Sequence, residues 1–305
     1  MKEVFIVNPS SGKGKIKHFI EGISSKENRE IIVPSNAAET NYYAFLKSNN
    51  EEPKVIYAVG GDGTLNSVLN GVVGSKAIMG VIPLGSGNDF ARTLKEEKIT
   101  APTKIDIGQI NYEYFLNIAS LGFDARVCEN ALKNRRIVGH ASYIIGLIQE
   151  ILKKIEVDQV TNKEIAMLTL CNGKYYGGGF KIAPTASLTD GFLDKYEIGE
   201  VTKFKLLKIL LKLLQGKHEE FLNKELIDEL SFIAEIPNVL SVNLDGEIKK
   251  FHRFDFKLIK KGITITTEMP EDVKILVNKI EGRWINETSS FNNIRWSWFK
   301  WEFVR

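Results

Sequence analysis

Four short apolar runs, at 4–7, 31–33, 55–59 and 78–82, punctuate residues 1–105, with helical patterns near 15–27, 38–48 and 64–73 between them. Parallel strands need a crossover between them, so this alternation predicts βαβ units and a parallel sheet. In such sheets ligands bind beyond the carboxyl ends of the strands. The loops there are 8–15, 60–64 and 83–89, and each is rich in Gly, Ser, Asn or Asp. Three such loops at corresponding positions point to one composite site.

After residue 105 the pattern changes. Strand-like runs at 104–110, 114–119, 164–171, 193–198, 240–244 and 254–259 dominate, with helical inserts near 124–134, 140–154 and 203–216. Asn172-Gly173 and Asp245-Gly246 carry the chemistry of two-residue hairpin turns. The expected architecture is an α/β domain over 1–105 and a β-rich domain over 106–267. A segment near 268–280 returns to the first, and an aromatic tail fills 281–305. All four Trp residues lie between 284 and 301.

Composition removes several classes of function. With 41 basic and 38 acidic residues the net charge is only +3, too balanced for a nucleic-acid binder. The two cysteines, Cys128 and Cys171, form no CxxC pair, so neither a zinc site nor a disulfide framework is expected, and a reducing cytoplasm fits. His18, His140, His218 and His252 show no metal-ligand spacing. No run of apolar residues is long enough to cross a bilayer, since Lys205, Lys208 and Lys212 interrupt the best candidate, near 204–214. That helix reads either as packed on the second sheet with its lysines in water, or as a basic amphipathic helix facing a membrane. The Trp-rich tail reads either as an interfacial anchor or as an extension folded back on the body.

The strongest motif is Gly60-Gly61-Asp62-Gly63-Thr64, at a strand end and a helix start. Glycines let backbone approach a phosphate, and the helix start offers N–H groups to it. Asp62 would repel phosphate unless a cation intervened, which points to Mg²⁺. The plain alternative is a tight turn with Asp62 or Thr64 as a cap. Pro83-Leu84-Gly85-Ser86-Gly87-Asn88-Asp89 repeats the theme after the next strand. Asn8-Pro9-Ser10-Ser11-Gly12-Lys13-Gly14-Lys15 looks like a P-loop but does not satisfy its pattern.

Together these loops resemble the bacterial diacylglycerol-kinase-like lipid kinases, relatives of the sphingosine kinases. The resemblance continues through Phe115-Leu116-Asn117, Gly122-Phe123-Asp124-Ala125, Tyr176-Gly177-Gly178-Gly179-Phe180, Asp190-Gly191-Phe192-Leu193-Asp194 and Asp245-Gly246-Glu247. It spans roughly residues 1–268, in the expected order. It implies a nucleotide-binding domain similar to those of NAD kinase and phosphofructokinase, a β-sandwich-like second domain, and an active site between them.

By that resemblance ATP would contact Asn8, Pro9, Ser10, Ser11 and Gly12, then Ser35. It would also contact Gly61, Asp62, Gly63, Thr64, Leu65, Asn66 and Ser67, and finally Ser86. Asp62, Asp89 and Asp106 would organise a catalytic Mg²⁺. A structural Mg²⁺ would sit near Ser187, Asp190 and Phe192. Asp245 and Glu247 would supply the base that takes the proton of the lipid hydroxyl, with Asp62 as a third catalytic carboxylate. The substrate would be a lipid alcohol met at a membrane surface by peripheral contact, and a homodimer is compatible with the sequence. Two positions depart from the family pattern: Ser67 replaces a Glu, and Ser86 replaces a Thr. A kinase of a soluble substrate, similar to NAD kinase, shares the Gly-Gly-Asp-Gly-Thr block. A non-catalytic nucleotide-binding regulator is permitted by the acid missing at Ser67.

Overall fold

In the computed structural model the described residues are 1–292, apart from 50–51, 53, 139–141, 154–155, 161–162, 215–216 and 228–231. The first part alternates as expected: β1 (Lys2–Val7), α1 (Lys15–Gly22), β2 (Arg29–Ile32), α2 (Ala37–Ser48), β3 (Lys54–Gly60), α3 (Asp62–Val72), β4 (Ile78–Pro83) and α4 (Asp89–Glu96). The second part opens with β5 (Thr103–Ile110), β6 (Glu113–Phe115), β7 (Ile118–Gly122), α5 (Phe123–Val138) and α6 (Ser142–Leu152). Short strands follow: β8 (Asp158–Val160), β9 (Lys163–Ile165), β10 (Met167–Cys171), β11 (Tyr175–Tyr176), β12 (Phe180–Lys181) and β13 (Leu193–Ile198). The chain closes with α7 (Lys203–Leu214), β14 (Asn223–Ile227), β15 (Phe232–Leu244), β16 (Glu247–Thr266) and α8 (Glu271–Asn292).

Side-chain alternation along β1 builds two cores. Val4 and Ile6 join Ile56, Ala58 and the α3 residues Leu65, Val68 and Leu69 on one face. Phe5 and Val7 join Tyr57, Val59 and Phe19 of α1 on the other. A parallel sheet must bury both faces, and β3 is accordingly buried along its whole length. The second face is completed from the far end of the chain, where Val273 and Ile280 of α8 enter the cluster. Arg29 fixes α8 in place. Its buried guanidinium donates to both oxygens of Asp272, at 2.7 and 3.2 Å, and to Glu3 at 2.8 Å. It also stacks over the Phe5 ring at 5.2 Å.

The parallel strands run in the order β2-β1-β3-β4. The antiparallel strands run β14-β13-β10-β7-β15. β16 joins the two sets. Its first half forms a hairpin with β15, and its last residues, Thr264 to Thr266, pair in parallel with β4. β5 lies antiparallel along the other side of β16. The sequence boundary at 105/106 therefore falls inside β5, and the domains share strands rather than meeting at a linker. The segment 281–292 belongs to α8, and residues 293–305 of the aromatic tail lie outside the described residues.

Two turn readings separate here. Asp245-Gly246 is a two-residue hairpin with φ of 51° and 95°, and it pairs Leu244 with Glu247. Asn172-Gly173 closes no hairpin. Both of its amides donate to Asn117 O, at 2.8 and 2.9 Å, and β11 pairs with β12 instead of β10. The single strand expected at 114–119 is split between β6 and β7, and the cause lies in the site.

Because Arg29 holds three elements together, Arg29→Leu should lower unfolding free energy by roughly 1–3 kcal/mol, Glu3 and Asp272 keeping some contact with water. Urea unfolding at neutral pH measures this, and an unchanged midpoint would show that α8 is held by its apolar contacts alone.

Candidate active site

β1, β3 and β4 are parallel neighbours, so the loops after them meet at one end of the sheet. They pack backbone against backbone. Gly12 has φ of +72°, and a Cβ there would lie 2.2 Å from Leu84 O. A Cβ on Gly85 would lie 2.2 Å from Gly61 Cα, and Gly85 N donates to Gly60 O at 2.9 Å. No side chain fits at either contact. Asn8 then cross-links the loops: Nδ2 donates to Thr64 Oγ1 at 3.0 Å, and Oδ1 accepts from Ser10 N at 3.0 Å. Ser67 Oγ donates to Gly63 O at 3.0 Å, so a hydroxyl bonded to its own helix stands where the resemblance expects an acid.

Asp62 sits in the first turn of α3, but its carboxylate serves α4. It accepts from Asp89 N at 3.2 Å and Phe90 N at 3.1 Å. α4 needs this, because its own N-cap residue Asn88 makes no side-chain cap. Asn88, with φ of 56°, instead donates to Pro83 O and Gly85 O, at 2.9 and 3.1 Å, and closes the loop. Asp89 is buried. One of its oxygens pairs with Arg92, and the other accepts from Gly178 N at 2.8 Å. Burial, and then the charge of Asp62, push Asp89 up to about 6. Burial also raises Asp62, against the two amides that favour its charged form.

The two carboxylates converge at Gly87, where a Cβ would lie 2.9 Å from Asp62 Oδ2 and 3.9 Å from Asp89 Oδ2. Adjacent acids that resist ionisation together suit a hard divalent cation. Among the described residues no group of three or more His, Cys, Asp and Glu is placed to hold a metal. Mg²⁺ is commonly held by one or two carboxylates, with waters and phosphates completing its shell, so this pair fits it.

The far wall comes from the β15–β16 hairpin. Asp245 turns inward. Oδ2 accepts from Leu116 N at 2.7 Å and from Asn66 Nδ2 at 3.0 Å, and Oδ1 accepts from Asn117 N at 2.8 Å and Ile118 N at 3.0 Å. Leu116 and Asn117 stand outside the strand ladder to reach it, which is why the run 114–119 breaks. Burial still pushes Asp245 up to about 6. With four donors on two oxygens it acts as a clamp. Glu247 is the carboxylate that faces the glycine loops: its Oε1 lies 3.6 Å from where a Cβ on Gly63 would sit. Asn243 steadies the turn. It accepts from Gly246 N at 2.8 Å and donates to Asp124, which in turn accepts from Tyr176 Oη at 2.7 Å.

Between these walls lies an open cleft of about 600 Å³. Of the residues expected from the sequence, Asn8, Ser10, Ser11, Gly12, Gly61, Asp62, Gly63, Thr64, Ser67, Ser86, Asp89, Asp245 and Glu247 line it. Leu65 does not, being packed in the sheet core. Asn66 is buried on Asp245. Pro9 and Ser35 stand outside the lining, and Ser35 N is tied to Glu39 in the cap of α2. Asp106 is not beside Asp62 and Asp89: its oxygens accept from Gly191 N at 2.8 Å and Lys261 N at 2.7 Å. It lies at the turn of Ser187, Asp190 and Phe192, and that turn is absent from the cleft lining. Sequence reasoning assigned no role to Asn117, Gly178 or Arg92. Asn117 and Gly178 line the cleft, and Arg92 pairs with Asp89. The glycine run before Phe180 was the available signal for Gly178.

Comparison with known proteins identifies the two domains. Residues 2–111 match the diacylglycerol kinase catalytic domain, and residues 117–250 match the YegS C-terminal NAD kinase beta sandwich-like domain. A diacylglycerol kinase of Staphylococcus aureus strain MRSA252 is 31% identical over 268 residues, covering 79% of this chain and 84% of the relative. A diacylglycerol kinase of Bacillus subtilis strain 168 is 28% identical over 267 residues, covering 79% and 88%. The crystal structure of a diacylglycerol kinase from Bacillus anthracis str. Sterne superposes with a TM-score of 0.67 at 20% identity, covering 88% of this chain and 97% of that one, which shows a shared fold.

A carboxamide offers one acceptor oxygen to the four donors around Asp245. Asp245→Asn should therefore cost roughly 1–3 kcal/mol of stability. Glu247→Gln, on the cleft side of the same turn, should stay within about 0.5 kcal/mol of the parent. Urea unfolding of both variants checks the contrast, and equal midpoints would remove the clamp.

Proposed function

Because the chain belongs to the diacylglycerol-kinase-like lipid kinases, we propose that it transfers the γ-phosphate of ATP to the hydroxyl of a diacylglycerol-like lipid, giving a phosphatidate-like product and ADP. The observation that carries this reading is the position of Glu247. A second-domain carboxylate reaches the Gly61–Gly63 loop, with its Oε1 3.6 Å from where a Cβ on Gly63 would sit, and lines the same cleft as Asp62 and Asp89. An acceptor hydroxyl entering from the second domain then meets its base and the donor phosphate in one place.

Each wall has a separate task. Gly61, the N-cap of α3, offers no side-chain cap, so the start of the helix can present an amide to a phosphate oxygen, although Thr64 N already donates to Gly61 O at 2.9 Å. Ser10, Ser11 and Ser86 add hydroxyls around the same space. Asp62 and Asp89 would hold Mg²⁺ against the phosphates, and the ion, when bound, neutralises charge on the transferring group. Glu247 takes the hydroxyl proton as the new oxygen–phosphorus bond forms and the bond to ADP breaks. Asp245 keeps the hairpin that carries Glu247 in register with α3, acting through position and not as a second base. The acid missing at Ser67 weighs little here, because the pair at Gly87 already supplies the negative donors.

Labelled ATP and detergent-dispersed diacylglycerol should give labelled phosphatidate. Label passing only to NAD would overturn the reading. Glu247→Gln should lower turnover by about 10² to 10⁴ while leaving the ATP dissociation constant within a few-fold, and unchanged turnover would place the base elsewhere.

The acid pair gives a pH signature. Asp89 is raised to about 6, so below that value the pair retains a proton that a cation must expel. Affinity for Mg²⁺–ATP should rise from pH 5 to pH 7, and binding near pH 6 should release protons. Calorimetry in buffers of different ionisation enthalpy reads this directly. Binding without proton release at pH 6 would detach the cation from Asp89.

A further inference from the structure

α7 has two apolar faces, and only one is buried. Leu206 and Ile209 point inward, clustered with Phe123, Val127, Met167 and Ile198. At about 100° per residue, Phe204, Leu207 and Leu211 fall on the opposite side. They are 81%, 44% and 54% exposed. The end of α6 lies beside them, since Lys203 Nζ donates to Leu152 O at 3.0 Å. Leu152 and Ile148 of α6 are 75% and 52% exposed and extend the stripe. These five large apolar side chains stand exposed on two neighbouring helices, and such a cluster marks an interaction site.

Charge selects the partner. α7 reads KFKLLKILLKLL, with four lysines and no acid. By the same helical spacing Lys203 borders one edge of the stripe, while Lys205, Lys208 and Lys212 border the other. A second copy of this chain on the same face would set lysine edges against lysine edges, which repel. An apolar ridge with cationic margins fits the headgroup boundary of an anionic bilayer, where the ring and leucines enter the acyl region and the ammonium groups stay with the phosphates. Among the described residues no helix is long and apolar enough to cross a membrane, so α7 would lie along the surface.

We propose that α7, with the end of α6, docks this protein on an anionic lipid surface. The proposal deepens the lipid-kinase reading and rests on it for its purpose. α6 starts at Ser142 on the cleft wall and ends at the patch. Its 11 residues span roughly 15 Å. Docking thus holds the cleft close to a membrane-borne substrate.

The test separates binding from turnover. The full chain is sedimented with vesicles of phosphatidylcholine and phosphatidylglycerol in equal parts, and with vesicles of phosphatidylcholine alone. Binding to the mixed vesicles should exceed binding to the neutral ones and should weaken as salt is added. Phe204→Ser/Leu207→Ser/Leu211→Ser should weaken it by at least about tenfold. Lys205→Glu/Lys212→Glu, which leaves the apolar ridge in place, should cost about fivefold per lysine or more. Both variants should turn over detergent-dispersed short-chain diacylglycerol like the parent, and removal of residues 293–305 should leave vesicle binding in place. The proposal is overturned by parent protein that ignores anionic vesicles, by variants that bind like the parent, or by binding that vanishes with the tail alone. It is equally overturned if the triple substitution only converts a dimer to a monomer in sedimentation velocity. Parent protein that binds vesicles through this patch yet phosphorylates no lipid would keep the docking surface and remove the kinase reading.

Discussion

The arrangement of the cleft depends on one carboxylate whose oxygens are both taken up by the protein itself. Asp245 gathers three consecutive backbone amides, from the link between β6 and β7 and the first residue of β7, and one side-chain amide from α3. Those donors belong to different parts of the chain, so the acid sets the distance between the hairpin and the first domain. Its price is desolvation, visible in the raised pKa. A buried acid with every lone pair occupied gives direction as well as affinity: if the hairpin slid, several amides would be left without partners at once. Glu247, two residues on, inherits a fixed position from this clamp.

The same logic recurs on the other wall. Asp62 leaves its own helix to cap the next one, and Asn88 is thereby released to close the glycine loop. Asp89 then ties that loop to Gly178 of the second domain. Asp62 and Asp89 each hold a segment other than their own. The three loops can therefore approach backbone to backbone and still leave the space above them open.

Much of this was legible in the sequence. Strand–helix alternation, the three glycine-rich loops and the Asp245-Gly246 turn depend on local chemistry, and each appears where the residues place it. What escaped reading was long-range acceptance of hydrogen bonds. Nothing near 114–119 signals that Leu116, Asn117 and Ile118 donate to a carboxylate at 245, so the run looked like one strand. Asn172-Gly173 has hairpin chemistry, but Asn117 O takes its amides. Asp106 resembled a third site acid, while its oxygens are occupied by Gly191 and Lys261. Domain limits were blurred for a related reason: β5 and β16 pair with each other along a length that composition divides in two.

The path of β16 has a consequence for how the molecule is made. β1 to β4 precede the rest of the fold along the chain, but the neighbour that completes β4 is Thr264 to Thr266, and α8 completes the cover of the face that holds Phe5 and Tyr57. Until those residues have been synthesised, the nascent first domain presents an open strand edge and an aromatic face covered on one side only, by α1. Such surfaces attract other unfinished chains. The first domain therefore completes its fold only when residues near 280 become available, and until then its edge is a surface that other chains can join.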